Sequence, residues 1–250
     1  MDKNIYETST LAQGELNKIL SSANIFDNST FSTEVKLQNF TKYVRRQDLT
    51  YFLTKYEIFK KIVNIHGSIV ECGVLYGGSL MTWANLSSIL EPINHNRKII
   101  GFDTFEGFQS VSENDNNKST ILQNDGMKIN DLAELRSVIE NYDNNRFLSH
   151  IEKVELVKGD ITVTGEEYLK SNPHLVISLL YLDCDIYKPT KTALELFIPR
   201  MPKGSIIVFD ELNTKSWPGE TLAVLESFGL NNLKIERFSF DTNISYAVIS

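Results

Sequence analysis

The chain has 250 residues, of which 42% are hydrophobic, and this length is sufficient for one large buried core. A net charge of −7, with no face-sized block of Lys or Arg, argues against nucleic acid as a partner. No run of about 18 apolar residues could span a membrane, and residues 1–6 lack the apolar segment of a signal peptide. We therefore expect a cytoplasmic protein that binds small molecules.

The first 66 residues are predicted to form a helical lid or arm in front of a main domain that comprises residues 67–250. Residues 1–40 are polar, with a short helical pattern at 11–20, and could also form a contact in a homo-oligomer. From Leu49 to Val63 apolar residues recur at helical spacing, and His66-Gly67 ends this predicted helix.

Five short apolar runs alternate with helix-length segments in the main domain. Runs that are apolar on consecutive positions are typical of parallel strands covered on both faces, and the alternation predicts right-handed βαβ crossovers. The predicted strands are 68–72, 98–102, 154–157, 177–182 and 205–209, and the predicted helices are 79–90, 129–142, 164–171, 190–201 and 220–228.

The last two apolar runs, 233–240 and 244–249, are joined by only three residues, so they must form an antiparallel hairpin. The expected fold is α/β: a doubly wound, mostly parallel seven-stranded sheet of Rossmann-like type that ends in this hairpin. By fold analogy, S-adenosylmethionine-dependent methyltransferases usually have this arrangement.

A glycine-rich turn follows the first predicted strand, from Glu71 and Gly73 to Gly77-Gly78-Ser79. Glycines let the turn approach a ligand, and the next helix presents free backbone amides to the same space. Glu71 would repel a dinucleotide pyrophosphate but could bind the ammonium of a methionine moiety. For these residues alone, a purely structural turn is an equally good interpretation.

Acidic residues also end the second and third predicted strands. Asp103 could accept hydrogen bonds from ribose hydroxyls, and Asp160 could accept one from the exocyclic amine of adenine. Each could instead cap a helix, but three acids at successive strand ends favour one shared ligand, S-adenosylmethionine. The candidate cofactor-binding residues are Glu71, Gly73, Tyr76, Gly77, Gly78, Ser79, Asp103, Thr104, Phe105, Gly159 and Asp160.

The fourth and fifth predicted strands end in acids as well. Asp183 and Asp185 follow the fourth strand, and Asp210-Glu211 follow the fifth. Two carboxylates about 4 Å apart repel by roughly 4 kcal/mol at a near-surface effective dielectric. Such a cluster requires a cation or raised pKa values, and its oxygen donors suit Mg²⁺, with Mn²⁺ or Ca²⁺ as alternatives.

Asp183, Asp210 and Glu211 are the candidate metal ligands. A cation at this position would stabilise the alkoxide of a substrate alcohol. Asp183 or Asp185 would be the catalytic residue that accepts the proton, with Lys188 as a weaker candidate. Alternatively, these acids cap helices or pair with lysines, which could be Lys188, Lys191 or Lys215.

Taken together, four motifs resemble the macrocin O-methyltransferase family, whose members methylate sugar hydroxyls on antibiotics and related glycosides. The motifs are Val70–Val74 with Gly77–Ser79, Phe102–Phe108, Asp183–Thr190 and Val208–Glu211. The resemblance implies a cofactor site through Glu71, Gly73, Ser79, Asp103 and Asp160, and a magnesium site through Asp183, Asp210 and Glu211, with Asp183 as base. The chain departs from the family pattern at Glu211, where Asp is usual, and at Phe105–Phe108, which lacks a Leu-Pro ending.

The sequence thus predicts an S-adenosylmethionine-dependent O-methyltransferase that acts on a hydroxyl of a sugar or glycosylated natural product. Antibiotic sugars, nucleotide-linked sugars, surface glycans and phenols all stay open as acceptors. Residues 1–50, 109–128 and 213–219 are expected to line the acceptor pocket, where Trp217 could stack on a sugar or simply mark a helix start. The alternatives are a nicotinamide-dependent oxidoreductase and a non-catalytic protein that binds an adenosyl ligand or a glycan.

Overall fold

In the computed structural model, which describes residues 15–115, 127–128 and 132–250, a seven-stranded sheet runs through the molecule. The strands are β1 Ser68–Cys72, β2 Ile99–Asp103, β3 Val154–Lys158, β4 Ile177–Leu182, β5 Ile206–Phe209, β6 Ile235–Arg237 and β7 Ser245–Val248. Their spatial order is β3-β2-β1-β4-β5-β7-β6. The first five strands are parallel, and β7 is antiparallel to both β5 and β6. The predicted doubly wound sheet with an antiparallel end is confirmed.

Helices cover both faces of this sheet. They are α1 Glu15–Asp27, α2 Thr33–Gln38, α3 Arg46–Ile62, α4 Gly78–Leu90, α5 Leu132–Asn144, α6 Ile161–Ser171, α7 Tyr187–Phe197 and α8 Pro218–Phe228. One face packs against α3 and α4, where Ile58, Phe59 and Trp83 are fully buried. The other face packs against α6, α7 and α8, with Phe197 and Val224 at its centre. A fully buried side chain of this size stabilises the fold by about 1.5–3 kcal/mol.

Several helix boundaries differ from the sequence-based prediction, among them the starts of α7 and α8, and two of the differences have a clear local cause. Helix α6 begins at Ile161 rather than at residue 164, because Asp160 caps it by accepting a 2.9 Å hydrogen bond from the Thr162 amide. Helix α7 ends at Phe197 rather than at residue 201, since Pro199 has no amide hydrogen to continue the helix.

At the N-terminus, the predicted helical pattern at 11–20 overlaps α1, although residues 11–14 lie outside the described part of the chain. Helix α3 shares its core with β1 and β4, and the domain boundary predicted after residue 66 stays a prediction. Among the described helices, none has the length and apolar character needed to cross a membrane. The cytoplasmic location and the homo-oligomer also stay predictions.

The chain order of the strands reverses at β1, which lies between β2 and β4. In open α/β sheets, ligands bind outside the carboxyl ends of the strands at such a switch point. The fold therefore predicts a ligand site at the residues that follow the parallel strands β1 to β5.

Candidate active site

A cavity of about 300 Å³ lies at the carboxyl ends of the parallel strands. The sequence-predicted residues that line it are Gly73, Asp103, Thr104, Gly159, Asp160, Asp183, Asp185, Asp210 and Glu211. Six other candidates are not among its lining residues, namely Glu71, Tyr76, Gly77, Gly78, Ser79 and Phe105. The strand-end acids thus converge on one cavity, with Glu71 as the exception.

The floor of this cavity forms where the ends of β1 and β4 approach each other at Gly73. The backbone of Gly73 has φ +97°, and a Cβ atom there would lie 1.9 Å from the carbonyl oxygen of Asp183. The Asp183 amide also donates a 2.8 Å hydrogen bond to the Cys72 carbonyl. Only glycine permits this approach, which explains why glycine occupies the first glycine position of the motif.

Asp103 organises the turn after β1. Its Oδ2 accepts hydrogen bonds from the amides of Val74 and Leu75 at 2.7 and 2.8 Å, and its Oδ1 accepts one from the Phe105 amide at 2.6 Å. Sequence reasoning missed this role. Carboxylate oxygens have further lone pairs, and Asp103 lines the cavity, so its predicted contact with a ribose remains open.

Asp160 combines the two roles that the sequence left open for it, since it caps α6 and also lines the cavity. Its Oδ2 accepts a hydrogen bond from the Ser110 hydroxyl, which lies in the segment after β2. Burial alone would raise the pKa of Asp160, but the hydrogen bonds from Ser110 and Thr162 outweigh it and lower the pKa. Asp160 is therefore held as a carboxylate.

Glu71 lies behind the strand end, fully buried, rather than on the cavity surface. Its Oε2 accepts a 2.9 Å hydrogen bond from the Ser79 hydroxyl, whereas Oε1 has no partner among the described residues. Burial raises the pKa of Glu71 to about 8, against the opposing effect of the nearby Lys55 ammonium. The predicted contact of Glu71 with a cofactor ammonium stays a prediction.

The acids that follow β4 and β5 form a repulsive cluster. Burial raises the pKa of Asp183, and the neighbouring Asp210 and Asp185 raise it further. Burial, Glu211 and Asp210 together raise the pKa of Asp185, whose backbone adopts φ 61°. The pKa of Glu211 is raised to about 7 by burial and by Asp210. Such clustering of perturbed carboxyls in a cleft is typical of functional sites.

Glu220 adds another carboxyl that the sequence analysis missed. It lies in the first turn of α8, fully buried, and its Oε1 accepts a 3.0 Å hydrogen bond from the Glu211 amide. Burial and Asp210 raise its pKa, and its Oε2 has no partner among the described residues. Glu220 thus fixes the backbone that carries Asp210 and Glu211.

Lys55, also missed, places a positive charge beside this cluster. Lys55 is only 1% exposed. Its Nζ donates a 3.3 Å hydrogen bond to the Tyr181 hydroxyl and lies 3.6 Å from the centroid of the Tyr51 ring. Burial lowers the pKa of Lys55, while Asp210 and Glu71 oppose that effect. A signal was present in the sequence, because Lys55 occupies a position of the apolar stripe that continues to Ile58 and Ile62.

Two tyrosines hold Asp210 from the same side. The Tyr181 hydroxyl donates to Asp210 Oδ1 at 2.7 Å, and the Tyr51 hydroxyl from α3 donates to the same oxygen. Asp210 also lines the cavity. Its Oδ2 is therefore the carboxylate oxygen left for a ligand.

The carboxyls of this cluster are the candidate ligands of a divalent ion. Within the described ranges, no three His, Cys, Asp or Glu side chains are arranged to hold a metal. The chemistry of the donors nevertheless fits Mg²⁺, because Asp183, Asp185, Asp210 and Glu211 offer only oxygens. Their mutual repulsion, visible in the raised pKa values of Asp183, Asp185 and Glu211, would be relieved by a cation.

Known proteins of similar sequence and fold include methyltransferases. A family model described as Macrocin-O-methyltransferase matches residues 54–231. A crystal structure of CalS11, a calicheamicin methyltransferase, is 33% identical with a TM-score of 0.91 and covers 95% of this chain and 93% of that chain.

Two further structures extend the comparison. An apo structure of CalS11, described as a TDP-rhamnose 3'-O-methyltransferase, is 32% identical with a TM-score of 0.82 over 95% of each chain. The O-methyltransferase NovP shares the fold at 20% identity, with a TM-score of 0.63 over 80% of each chain. Among curated protein sequences, none matches significantly.

Proposed function

Because this chain belongs to the macrocin O-methyltransferase family and is an O-methyltransferase, we propose that it transfers the methyl group of S-adenosylmethionine to a sugar hydroxyl. The observation that carries this proposal is the 33% identity to a calicheamicin methyltransferase over 95% of the chain. Neither the nicotinamide-dependent oxidoreductase nor the non-catalytic binding protein finds support in these relatives.

For the acceptor, we propose a deoxyhexose carried on a nucleoside diphosphate. The support is the 32% identity to a protein described as a TDP-rhamnose 3'-O-methyltransferase. Two aromatic side chains of the cavity suit such a ring: Phe108 and Trp217 lie with ring centroids 5.7 Å apart, and both line the cavity. Aromatic faces pack well against the apolar face of a sugar.

The cofactor is proposed to bind in the part of the cavity formed by the ends of β1, β2 and β3. Gly73 lines this part of the cavity, Asp103 would accept hydrogen bonds from the ribose, and Asp160 would accept one from the adenine amine. Ser79, bonded to Glu71, is the second residue of α4, whose first-turn amides would face the methionine end. S-adenosylmethionine would supply the activated methyl group.

A divalent cation, most simply Mg²⁺, is proposed to bind at Asp183, Asp210 and Glu211. When bound, it would make the acceptor hydroxyl more acidic. Of these ligands, Asp210 is held by Tyr51 and Tyr181, and the backbone of Glu211 is held by Glu220.

Asp183 is the proposed base, with Asp185 as the alternative. The acceptor hydroxyl loses its proton to the carboxylate and gains the methyl group, leaving S-adenosylhomocysteine. Burial and the neighbouring Asp210 and Asp185 raise the pKa of Asp183, and a bound cation would favour the carboxylate form that accepts this proton. Transfer requires the two substrates to be held in line, which the converging strand ends would provide.

The proposal is tested by binding and transfer measured separately. Calorimetry with S-adenosylhomocysteine and with NADH checks the cofactor, and we expect only the first to bind. Transfer of labelled methyl from S-adenosylmethionine is then measured with a nucleotide-linked deoxysugar, a glycoside and a catechol as acceptors. Label in the catechol alone, or in none of the acceptors, would contradict the proposed substrate class.

A further inference from the structure

The segment after β2, residues 104–115, contributes to the lining of the cavity, and we call it the roof loop. Gly107, Phe108 and Ser110 of this loop all line the cavity. The roof loop is fixed at two points: the Ser110 hydroxyl donates to Asp160 at the end of β3, and Asp115 is bonded at the start of α7. The first contact lies at the end of β3 and the second follows β4, and β2 and β1 lie between these two strands in the sheet.

Asp115 is an unusually buried carboxyl for a loop residue, at 2% exposure. Its Oδ1 accepts a 2.6 Å hydrogen bond from the Tyr187 amide, and its Oδ2 accepts bonds of 2.8 Å from both the amide and the hydroxyl of Ser112. The carboxyl therefore closes its own turn and at the same time satisfies a free amide in the first turn of α7.

Gly219, in the first turn of α8, completes this junction. A Cβ atom at Gly219 would lie 2.2 Å from Asp115 Oδ1 and 2.5 Å from the Tyr187 amide nitrogen. The roof loop, α7 and α8 can therefore meet only because residue 219 has no side chain. Trp217, two residues earlier, is buried against Phe108 of the roof loop.

We propose that Asp115 is a positioning residue that fastens the roof loop to the starts of α7 and α8, and so holds Phe108 against Trp217 as one wall of the acceptor subsite. Asp115 acts through the loop and does not line the cavity itself. The nature of the ligand rests on the proposed function, but the position of the loop does not. The sequence predicted that residues 109–128, which begin within this loop, lie near the acceptor, but it did not identify Asp115 as the anchor.

The test uses Trp217 as a reporter. The chain has two tryptophans, so Trp83→Phe leaves Trp217 as the single emitter. In this background, Asp115→Ala should increase acrylamide quenching of Trp217 in the ligand-free protein about twofold or more, because Phe108 no longer covers the indole. The Kd for S-adenosylhomocysteine, measured by calorimetry, should rise about tenfold, because the released loop also loosens the contact of Ser110 with Asp160, the proposed acceptor of the adenine amine.

Asp241→Ala is a matched control. Asp241 is 4% exposed and also accepts two backbone amides and one hydroxyl, from Asn243, Ile244 and Thr54, but it does not line the cavity. Both alanine variants should lower the unfolding midpoint, whereas only Asp115→Ala should change quenching and Kd. Asp115→Asn, which keeps an acceptor for the Tyr187 amide, should restore much of both properties.

Gly219→Ala gives a second route to the same junction, should Asp115→Ala fail to fold. Its methyl group would displace the Asp115 carboxyl from the start of α8. The quenching of Trp217 and the Kd for S-adenosylhomocysteine should therefore rise together. The proposal would be overturned if Asp115→Ala and Gly219→Ala showed the same quenching and the same Kd as Asp241→Ala. A protein that shows the quenching difference yet binds no S-adenosylhomocysteine would refute the proposed function while supporting the role of Asp115.

Discussion

The hydroxyl of Tyr181 in β4 donates a 2.7 Å hydrogen bond to Oδ1 of Asp210, which directly follows the neighbouring parallel strand β5. Tyr181 is fully buried, and Tyr51 reaches the same oxygen from α3. Asp210 is thus fixed from the interior while it faces the cavity. Partners of this kind orient a metal-binding carboxylate and tune its affinity.

Tyr181→Phe should weaken Mg²⁺ or Mn²⁺ binding by about 10–100-fold, because it removes a hydroxyl that orients Asp210. Isothermal titration of the cofactor-saturated protein measures this change. Tyr142→Phe is the control, since the Tyr142 hydroxyl donates a 2.6 Å hydrogen bond to the Ala84 carbonyl and Tyr142 does not line the cavity. Equal cation affinity in both variants would show that Tyr181 does not act through Asp210.

Lys55→Met should destabilise the fold by about 3–5 kcal/mol at pH 9, above the raised pKa of Glu71, since it leaves a buried carboxylate without its cation. The loss should be smaller at pH 6, where Glu71 keeps its proton. Urea unfolding at both pH values measures it.

Lys36→Met is the control for Lys55→Met, because Lys36 is also buried but donates to the Phe26 carbonyl at 2.8 Å. Its cost should be the same at both pH values. A pH-independent loss in Lys55→Met would rule out the counter-ion role.

The stability of the ligand-free protein should fall as the pH rises from about 4.5 to about 8, the raised pKa of Glu71. In this window the folded state keeps the Glu71 proton that the unfolded chain has already lost, so rising pH favours unfolding. Glu71→Gln should reduce this slope by up to about 1.4 kcal/mol per pH unit. Urea unfolding from pH 5 to pH 8 provides the measurement, and a slope identical to that of the wild type would contradict the burial of Glu71 as an acid.

Asp103→Asn should weaken S-adenosylhomocysteine binding by about 10–150-fold, the equivalent of 1.5–3 kcal/mol for a charged hydrogen-bonding group. The variant loses both the proposed ribose acceptor and the carboxylate that holds the amides of Val74 and Leu75. Asp143→Asn is the matched control, because Asp143 pairs with Arg146 outside the cavity. Calorimetry measures both affinities, and equal affinities of the two variants would contradict the role of Asp103 in cofactor binding.

The strands and their terminal acids could be predicted because both signals are local. A buried parallel strand is a continuous apolar run, as in Ile177–Leu182, and the acid that follows it must lie at the carboxyl edge of the sheet. Parallel connections then bring Asp103, Asp160 and Asp183 to one cavity, whatever the lengths of the intervening helices.

The residues that support this edge could not be predicted so directly, because their partners are distant in the sequence. Tyr51 lies in α3, far along the chain from Asp210, and only the packing of that helix brings them together. Asp115 and Gly219 meet for the same reason. The burial of Glu71 and its proximity to Lys55 were likewise not visible in the sequence, because they depend on the packing of α3 against β1, and its contact with a cofactor stays a prediction.

The most direct test of the proposed reaction is methyl transfer from labelled S-adenosylmethionine to a nucleotide-linked deoxyhexose, with Mg²⁺ present, by the wild type and by Asp183→Asn. We predict label on a sugar hydroxyl with the wild type, and a rate lower by about 10²–10⁴-fold with the variant, as expected for loss of a general base. Equal rates for the two proteins, or a wild type that labels no sugar acceptor, would contradict the account.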